Sequence, residues 1–158
     1  MSEIPERAKY FSAIDLKDAF YSVPLAEERQ FLFPFEDPTQ PASHLTWTVL
    51  PQRFCDCPHL FGQSLSRDLQ NFNSSKAVAL QYGDDILLCA DTEEACSRAS
   101  EDLNLLAGCG YKGSREKAQL CQQSVRHLGL IISEGTRAIG PVRIKPILNH
   151  HLPMTLRQ

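Results

Sequence analysis

The spacing of apolar and polar positions changes several times along the chain, and each change predicts an element. Tyr10-Phe11-Ser12-Ala13-Ile14-Asp15 is aromatic and β-branched, which predicts a strand delivering Asp15 at its end. Residues 16–24 then read as a short turn followed by extended chain. Phe31 to Phe35 and Leu45 to Leu50 predict a strand pair around the polar, proline-containing link 36–44. From Pro58 onward, Leu60, Phe61, Ser64, Leu65, Asp68, Leu69 and Phe72 recur at helical spacing, with the proline suited to the first turn. Two apolar runs, Ala77–Leu80 and Ile86–Ala90, flank Gln81-Tyr82-Gly83-Asp84-Asp85, and Gly-Asp between strand-like runs is a hairpin signal. The tip of that hairpin carries two adjacent carboxylates.

Asp91 followed by Glu94 has the form of a capping box. It opens a helix with Ala95, Ala99, Leu103 and Leu106 on one face, stopped by Gly108 and Gly110. A basic loop from Tyr111 to Lys117 leads into a second hairpin, Val125–Ile132 with Thr136–Ile139, turned at Glu134-Gly135. Residues 141–158 contain three prolines and no period, so they read as a linker. The order of strand, extended insert, helix, hairpin, helix and hairpin predicts an α+β fold with helices on one face of a mainly antiparallel sheet.

Composition narrows the class. A length of 158 residues suits one domain, and 42% apolar with 22% charged residues is globular. The longest apolar runs fall far short of the roughly 20 residues of a membrane helix. Met1 to Glu6 has neither the basic start nor the apolar core of a secretory signal. An intracellular, cytoplasmic protein without a membrane segment is therefore expected, with its six cysteines reduced. Cys55-Asp56-Cys57-Pro58-His59 matches no common zinc spacing and has no second cluster to complete it.

The net charge of -3 conceals a gradient. Residues 1–100 hold fifteen acidic and eight basic side chains, whereas residues 101–158 hold four and eight. An acidic body with a basic end suits metal ions on one side and an anionic partner on the other.

The chemistry concentrates in Asp15, Asp84 and Asp85, each placed at a strand end or hairpin tip in an apolar context. Carboxylates brought that close repel one another unless a cation lies between them. Hard oxygen donors of this kind suit Mg²⁺, and two such ions about 3.5–4 Å apart form the arrangement that supports in-line phosphoryl transfer. The plainer alternative makes Asp84-Asp85 a solvated turn and Asp15 a helix cap. An unrelated Mg²⁺ phosphohydrolase is also compatible with these residues.

Phe11 to Phe20, Leu45 to Gln52, Tyr82-Gly83-Asp84-Asp85, Gly110 to Cys121 and His127-Leu128-Gly129-Leu130 occur in this order. They resemble successive palm motifs of retroviral reverse transcriptases, especially the gammaretrovirus-like and endogenous-retrovirus group. The resemblance spans residues 8 to about 158. It implies a polymerase palm with a ferredoxin-like antiparallel sheet and partial fingers over residues 1–140, a finger-like insert at about 24–50, and a linker at 141–158 toward a missing thumb.

It further implies RNA-directed DNA polymerase activity on a primed RNA or DNA template with dNTPs. Two Mg²⁺, replaceable by Mn²⁺, would be held by Asp15, Asp84 and Asp85. The carbonyl of Leu16 would face a metal. Asp18 and Ala19 would lie beneath the triphosphate and sugar. Phe20 would exclude a 2′-hydroxyl, while Tyr21 reads as a core aromatic. Gln52 would contact the nucleotide, Lys117 would help protonate the leaving pyrophosphate, and Tyr82, Leu128 and Gly129 would contact the primer. Full-length relatives add thumb, connection and ribonuclease H domains.

Three departures stand out. Arg53 occupies the usual glycine position after Gln52, Cys55-Asp56-Cys57 replaces basic or small polar residues, and Gly83 replaces Val or Met, which suggests a looser hairpin. They motivate a second reading: a catalytically dead remnant that keeps the fold and binds nucleic acid weakly at most.

Overall fold

The computed structural model describes residues 4–40, 42–72, 74 and 76–150. In chain order its elements are β1 (Tyr10–Lys17), a 3-10 turn (Ala19–Ser22), α1 (Glu27–Gln30), β2 (Pro34–Glu36), β3 (His44–Thr46), α2 (Cys57–Leu69), β4 (Ala77–Tyr82), β5 (Asp85–Ala90), α3 (Glu93–Asp102) and α4 (Leu105–Gly108). Then follow β6 (Lys112–Gly113), β7 (Gln119–Gln122), β8 (Ser124–His127), β9 (Leu130–Ser133), β10 (Thr136–Ile139) and α5 (Pro141–Leu148).

β1 lies at the centre of an antiparallel sheet. One of its edges pairs with β5, which pairs in turn with β4; the other is shared by β7 along its first half and β6 at its end. The order β4-β5-β1-β7 is that of the ferredoxin-like split βαβ layout, as the resemblance implies. Alternation along β1 sends Ile14 and Leu16 to one face and Phe11 and Ala13 to the other. Leu16 joins Ile86 and Leu88 of β5 under Phe61 and Leu65 of α2 and Ala95, Cys96 and Ala99 of α3. Phe11 and Ala13 join Leu87 and Cys89 against Val125 and Ile132. β5 is thus covered on both faces, which is why it reads as an unbroken apolar run.

The helix of the first layer is shaped by its stripe. Phe61 and Leu65 are almost fully buried, whereas Leu60, which the spacing assigns to the same face, is 40% exposed. On the helix-covered face of β1, the buried Ser12 hydroxyl meets Ser100 Oγ of α3 at 2.9 Å and accepts from the Cys121 amide at 3.0 Å, so the one buried polar side chain of that strand is satisfied.

Five local expectations are corrected. Thr92, not Asp91, caps α3: its hydroxyl accepts from the Ala95 amide, while Asp91 pairs with Arg7 at 3.3 Å. That helix stops at Asp102, and Leu106 belongs to a separate short turn, α4. The strand pair of the insert shrinks to three residues on each side, all exposed, because a two-stranded ribbon with no buried face is only marginally stable. The base of the insert is closed where Val23 to Leu25 meets Thr48 to Leu50. Val125 to Ile132 is not one strand but two, β8 and β9, folded at Leu128-Gly129. Finally, the prolines of the expected linker do not prevent a short helix: Pro141 sits in the first turn of α5, where its missing N–H costs nothing, Pro146 lies inside it and forgoes one intrahelical bond, and residues 151–158 lie outside the described residues. No helix among the described residues is long and apolar enough to cross a membrane.

Candidate active site

The antiparallel register that aligns Ile14 with Ile86 also sets Asp15 directly opposite Asp85. Side chains so opposed have Cβ atoms about 4.5–5.5 Å apart. Between β4 and β5 the turn is only Gly83 and Asp84, closed by Tyr82 opposite Asp85. Gly83 has φ +60°, a left-handed conformation that glycine adopts without strain at the first position of a two-residue hairpin loop. The glycine therefore suits this turn instead of loosening it. The Leu16 amide donates to the Asp84 carbonyl at 2.9 Å, which ties the tip to the end of β1.

The end of β1 opens on a cleft of about 600 Å³ lined by Asp15, Leu16, Lys17, Asp18, Asp84 and the segment Gly113 to Lys117. Four carboxylates, Asp15, Asp18, Asp84 and Glu116, thus share the lining with three cations, Lys17, Arg115 and Lys117. Sequence reasoning missed Lys17 and Arg115; their only signal was proximity to Asp15 and membership of the basic loop. Lys117 Nζ lies 3.2 Å from both Oδ1 and Oδ2 of Asp15. The Asp85 carboxyl sits above the usual carboxylate range, first because burial desolvates it and then because Asp84 and Asp15 repel its charge, against the opposing pull of His127 and Lys117.

Among the described residues, no three acidic, imidazole or thiol groups gather as a preformed metal cage. Asp15 and Asp84 on the cleft nonetheless fit a hard divalent ion, because Mg²⁺ takes one or two protein carboxylates and completes its shell with water and phosphate oxygens. Asp85 is off the cleft wall, half-buried toward His127. Cys57, in the rejected zinc motif, is buried and donates to the Pro51 carbonyl at 2.7 Å, while Cys55 is exposed.

The other expected positions divide between places. Asp18 is exposed with φ +54° at the mouth of the cleft. Ala19 is buried, and Phe20 is half-buried, edge-on to Phe61 at 5.4 Å. Tyr21, expected in the core, is instead at the surface, stacked on Trp47 at 5.6 Å. Gln52 is exposed in a turn and lines none of this cleft. Tyr82 and Leu128 come together across a separate small apolar pocket with His127, Leu130 and Arg137. Leu128 and Gly129 both have positive φ, and the Arg143 guanidinium of α5 fills the space a Gly129 side chain would need.

Arg53 keeps the backbone that glycine would take: its φ is +71°. An L side chain there costs about 1–2 kcal/mol. Arg53→Gly should therefore raise the unfolding free energy by up to about 1 kcal/mol, after the greater chain entropy of glycine is subtracted, whereas Arg53→Ala should give no gain. Urea denaturation of both variants checks this, and equal midpoints for the two would remove the strain argument.

His127 is buried, and burial lowers its pKa below the ordinary 6.5 although Asp85 pulls it upward. A proton is then taken up more readily by the unfolded chain, so stability is present above the ordinary imidazole range and lost as the pH falls through it. The urea midpoint of the protein should drop between pH 7.5 and 5.5, and His127→Phe should flatten most of that drop. An unchanged pH slope in the variant would place the loss elsewhere.

The family described as reverse transcriptase (RNA-dependent DNA polymerase) matches residues 2–132. The chain is 45% identical, over its full length, to the Gag-Pol polyprotein of avian reticuloendotheliosis virus, and 46% identical over 94% of its length to the Pol polyprotein of feline endogenous virus ECE1. It spans 14% of each of those polyproteins. The foamy viral protease-reverse transcriptase, solved in complex with double-stranded DNA, superposes with a TM-score of 0.81 at 29% identity, over 96% of this chain and 26% of that one. Its complex with an RNA/DNA hybrid gives 0.79 at the same identity, over 96% and 20%.

Proposed function

The chain belongs to the reverse transcriptase (RNA-dependent DNA polymerase) family, and we propose that it is the palm of a polymerase that adds dNTPs to a primer 3′-hydroxyl on an RNA or DNA template. The observation that carries this reading is the β1–β5 register, which gathers Asp15, Asp84 and Asp85 at one end of the sheet, beside a cleft whose lining also includes Lys17, Arg115 and Lys117. Asp15 and Asp84 hold two divalent ions, Mg²⁺ or Mn²⁺, with Asp85 in a lesser part. Bound there, the ions supply neutralisation of phosphate charge and activation of the attacking hydroxyl.

The remaining roles belong to the chain itself. Lys17, Arg115 and Lys117 attract the triphosphate electrostatically, and Lys117 is placed to give a proton to the departing pyrophosphate. The Leu16 carbonyl faces the metal side, and the exposed Asp18 turn and Ala19 lie under the triphosphate and sugar. Phe20, braced by Phe61, meets the sugar where a 2′-hydroxyl would project, and Gln52 approaches the nucleotide from the adjoining turn. Tyr82, Leu128 and Gly129 form the primer-facing edge, where the left-handed turn at 128–129 fixes the hairpin. Residues 1–140 make up the palm with partial fingers, and 141–158 lead toward a thumb supplied by a longer protein.

The strained Arg53 favours the second reading, a remnant that keeps the fold without activity. Purified chain with Mg²⁺, a primed homopolymer and labelled dNTP separates the two. Metal-dependent primer extension is expected; none at high protein concentration establishes the remnant, and phosphate release without template would instead indicate a phosphohydrolase.

A further inference from the structure

Resting on the metal-dependent reading above, we propose that Lys117 is the resident counter-ion of Asp15: its ammonium holds the carboxylate in the metal-free protein and yields it when a divalent cation is taken up. Metal loading is then an exchange at Asp15 and a simple addition at Asp84.

Three features of the fold carry this. The first is the geometry of the pair, in which Nζ stands 3.2 Å from each carboxylate oxygen, so that neither oxygen is free of the ammonium. The second is that the pairing is built into the backbone. The loop bearing Lys117 is fastened to β1 on both sides: Gly113 pairs with Leu16 and the Ser114 amide donates to the Asp15 carbonyl at 2.8 Å before it, and Gln119 pairs with Ala13 after it. Between these anchors the amides of Lys117 and Ala118 close a turn onto the Ser114 carbonyl at 3.2 and 3.0 Å. A lysine raised on such a turn is aimed at Asp15 before any ligand arrives.

The third is asymmetry. Among the described residues Asp84 forms no ion pair, although it lines the same cleft. Asp85 stands directly opposite Asp15 across the strand pair, so a positive charge beside Asp15 relieves that repulsion when no metal is present. The side chain of Lys117 is 67% exposed and that of Asp15 27%, so the pair is screened and weak enough to open. It acts as a latch on the site and leaves the ammonium free beside the cleft after exchange.

Mn²⁺ binding to the metal-free chain, followed by electron paramagnetic resonance, tests this without requiring turnover. Lys117→Met should bind Mn²⁺ about two- to fivefold more tightly, because the competing cation is gone. Its melting temperature without metal should fall below that of the unaltered chain and recover at saturating Mn²⁺. Lys117→Gln should behave in the same way, which separates loss of charge from loss of packing. Equal or weaker Mn²⁺ affinity in both variants overturns the exchange while leaving the polymerase reading intact, since a proton donor to pyrophosphate has no reason to alter metal binding. If Asp15→Asn binds Mn²⁺ as the unaltered chain does, the ion is held elsewhere, and both readings fall.

Discussion

Primer extension by Asp84→Asn should be lower than that of the unaltered chain by about three orders of magnitude or more, at unchanged stability. The size follows from what the group does: removing one preorganised stabiliser of developing charge already costs about 10²–10³ in rate, and a metal ligand both binds and positions the cation. The specificity of the test comes from where Asp84 sits. It is the exposed second residue of the β4–β5 turn, and its structural contribution runs through its backbone, whose carbonyl accepts from Leu16. Asparagine keeps that backbone and the side-chain shape while removing the charge, so the melting temperature should stay close to its original value, as for most surface substitutions. Residual extension above a tenth of the original, measured with Mg²⁺ and with Mn²⁺, would deny Asp84 the role of a ligand. Loss of activity together with loss of folding would show that the turn itself had failed.

Phe61→Ala should cost about 3–5 kcal/mol, a large fraction of the stability of a domain this size. Phe61 is 1% exposed and stands between two other rings, edge-on to Phe20 at 5.4 Å and to Tyr111 at 6.2 Å. Truncation removes the buried ring and leaves a cavity that β1 and β5, packed on their other faces as well, cannot collapse to fill. Tyr111 also donates its hydroxyl proton to Asp68 of α2 at 2.8 Å, with Ser64 Oγ 3.3 Å from the same oxygen, so α2 would stay attached while its centre is hollow. Leu60→Ala, one residue earlier but 40% exposed, should cost far less. Comparison of urea midpoints for the two variants decides the matter: a Phe61→Ala cost below about 1 kcal/mol would mean that the stripe is not what fastens α2 to the sheet. Because Phe20 leans on the same ring, this variant should also admit ribonucleotides more readily if activity survives.

Much of this fold was legible along the chain. β5 was visible as Ile86 to Ala90 because a strand buried on both faces needs apolar residues at every position. α2 was visible because Phe61 and Leu65 recur at helical spacing, and its start because Pro58 suits a first turn. The hairpin tip was visible because Gly83 supplies a positive φ that few other residues accept cheaply. The break at Leu128-Gly129 was not: leucine is a poor candidate for a left-handed position, and its φ of +51° is imposed by the pairing of β8 with β9. The cap of α3 was assigned one residue early because Asp91 and Thr92 are both competent caps. In the folded chain it is the Thr92 hydroxyl that accepts from the Ala95 amide, while Asp91 pairs with Arg7 at the surface.

The sequence alone therefore determined the elements whose cause is local: periodicity, turn chemistry and the order in which Asp15 and the Asp84-Asp85 pair are delivered. The tertiary structure decided which of those groups meet. Asp15 faces Asp85 because β1 and β5 align at Ile14 and Ile86, and a slip of one residue would turn one of the two carboxylates to the opposite face. Lys117 reaches Asp15 across 102 residues of chain because β6 and β7 both pair with β1 and hold the loop between them. Local spacing contains no information about such partners. They depend on register and on the closure of long loops, which are settled only when the apolar faces of β1 and β5 pack against the helices on one side and the β8–β9 hairpin on the other.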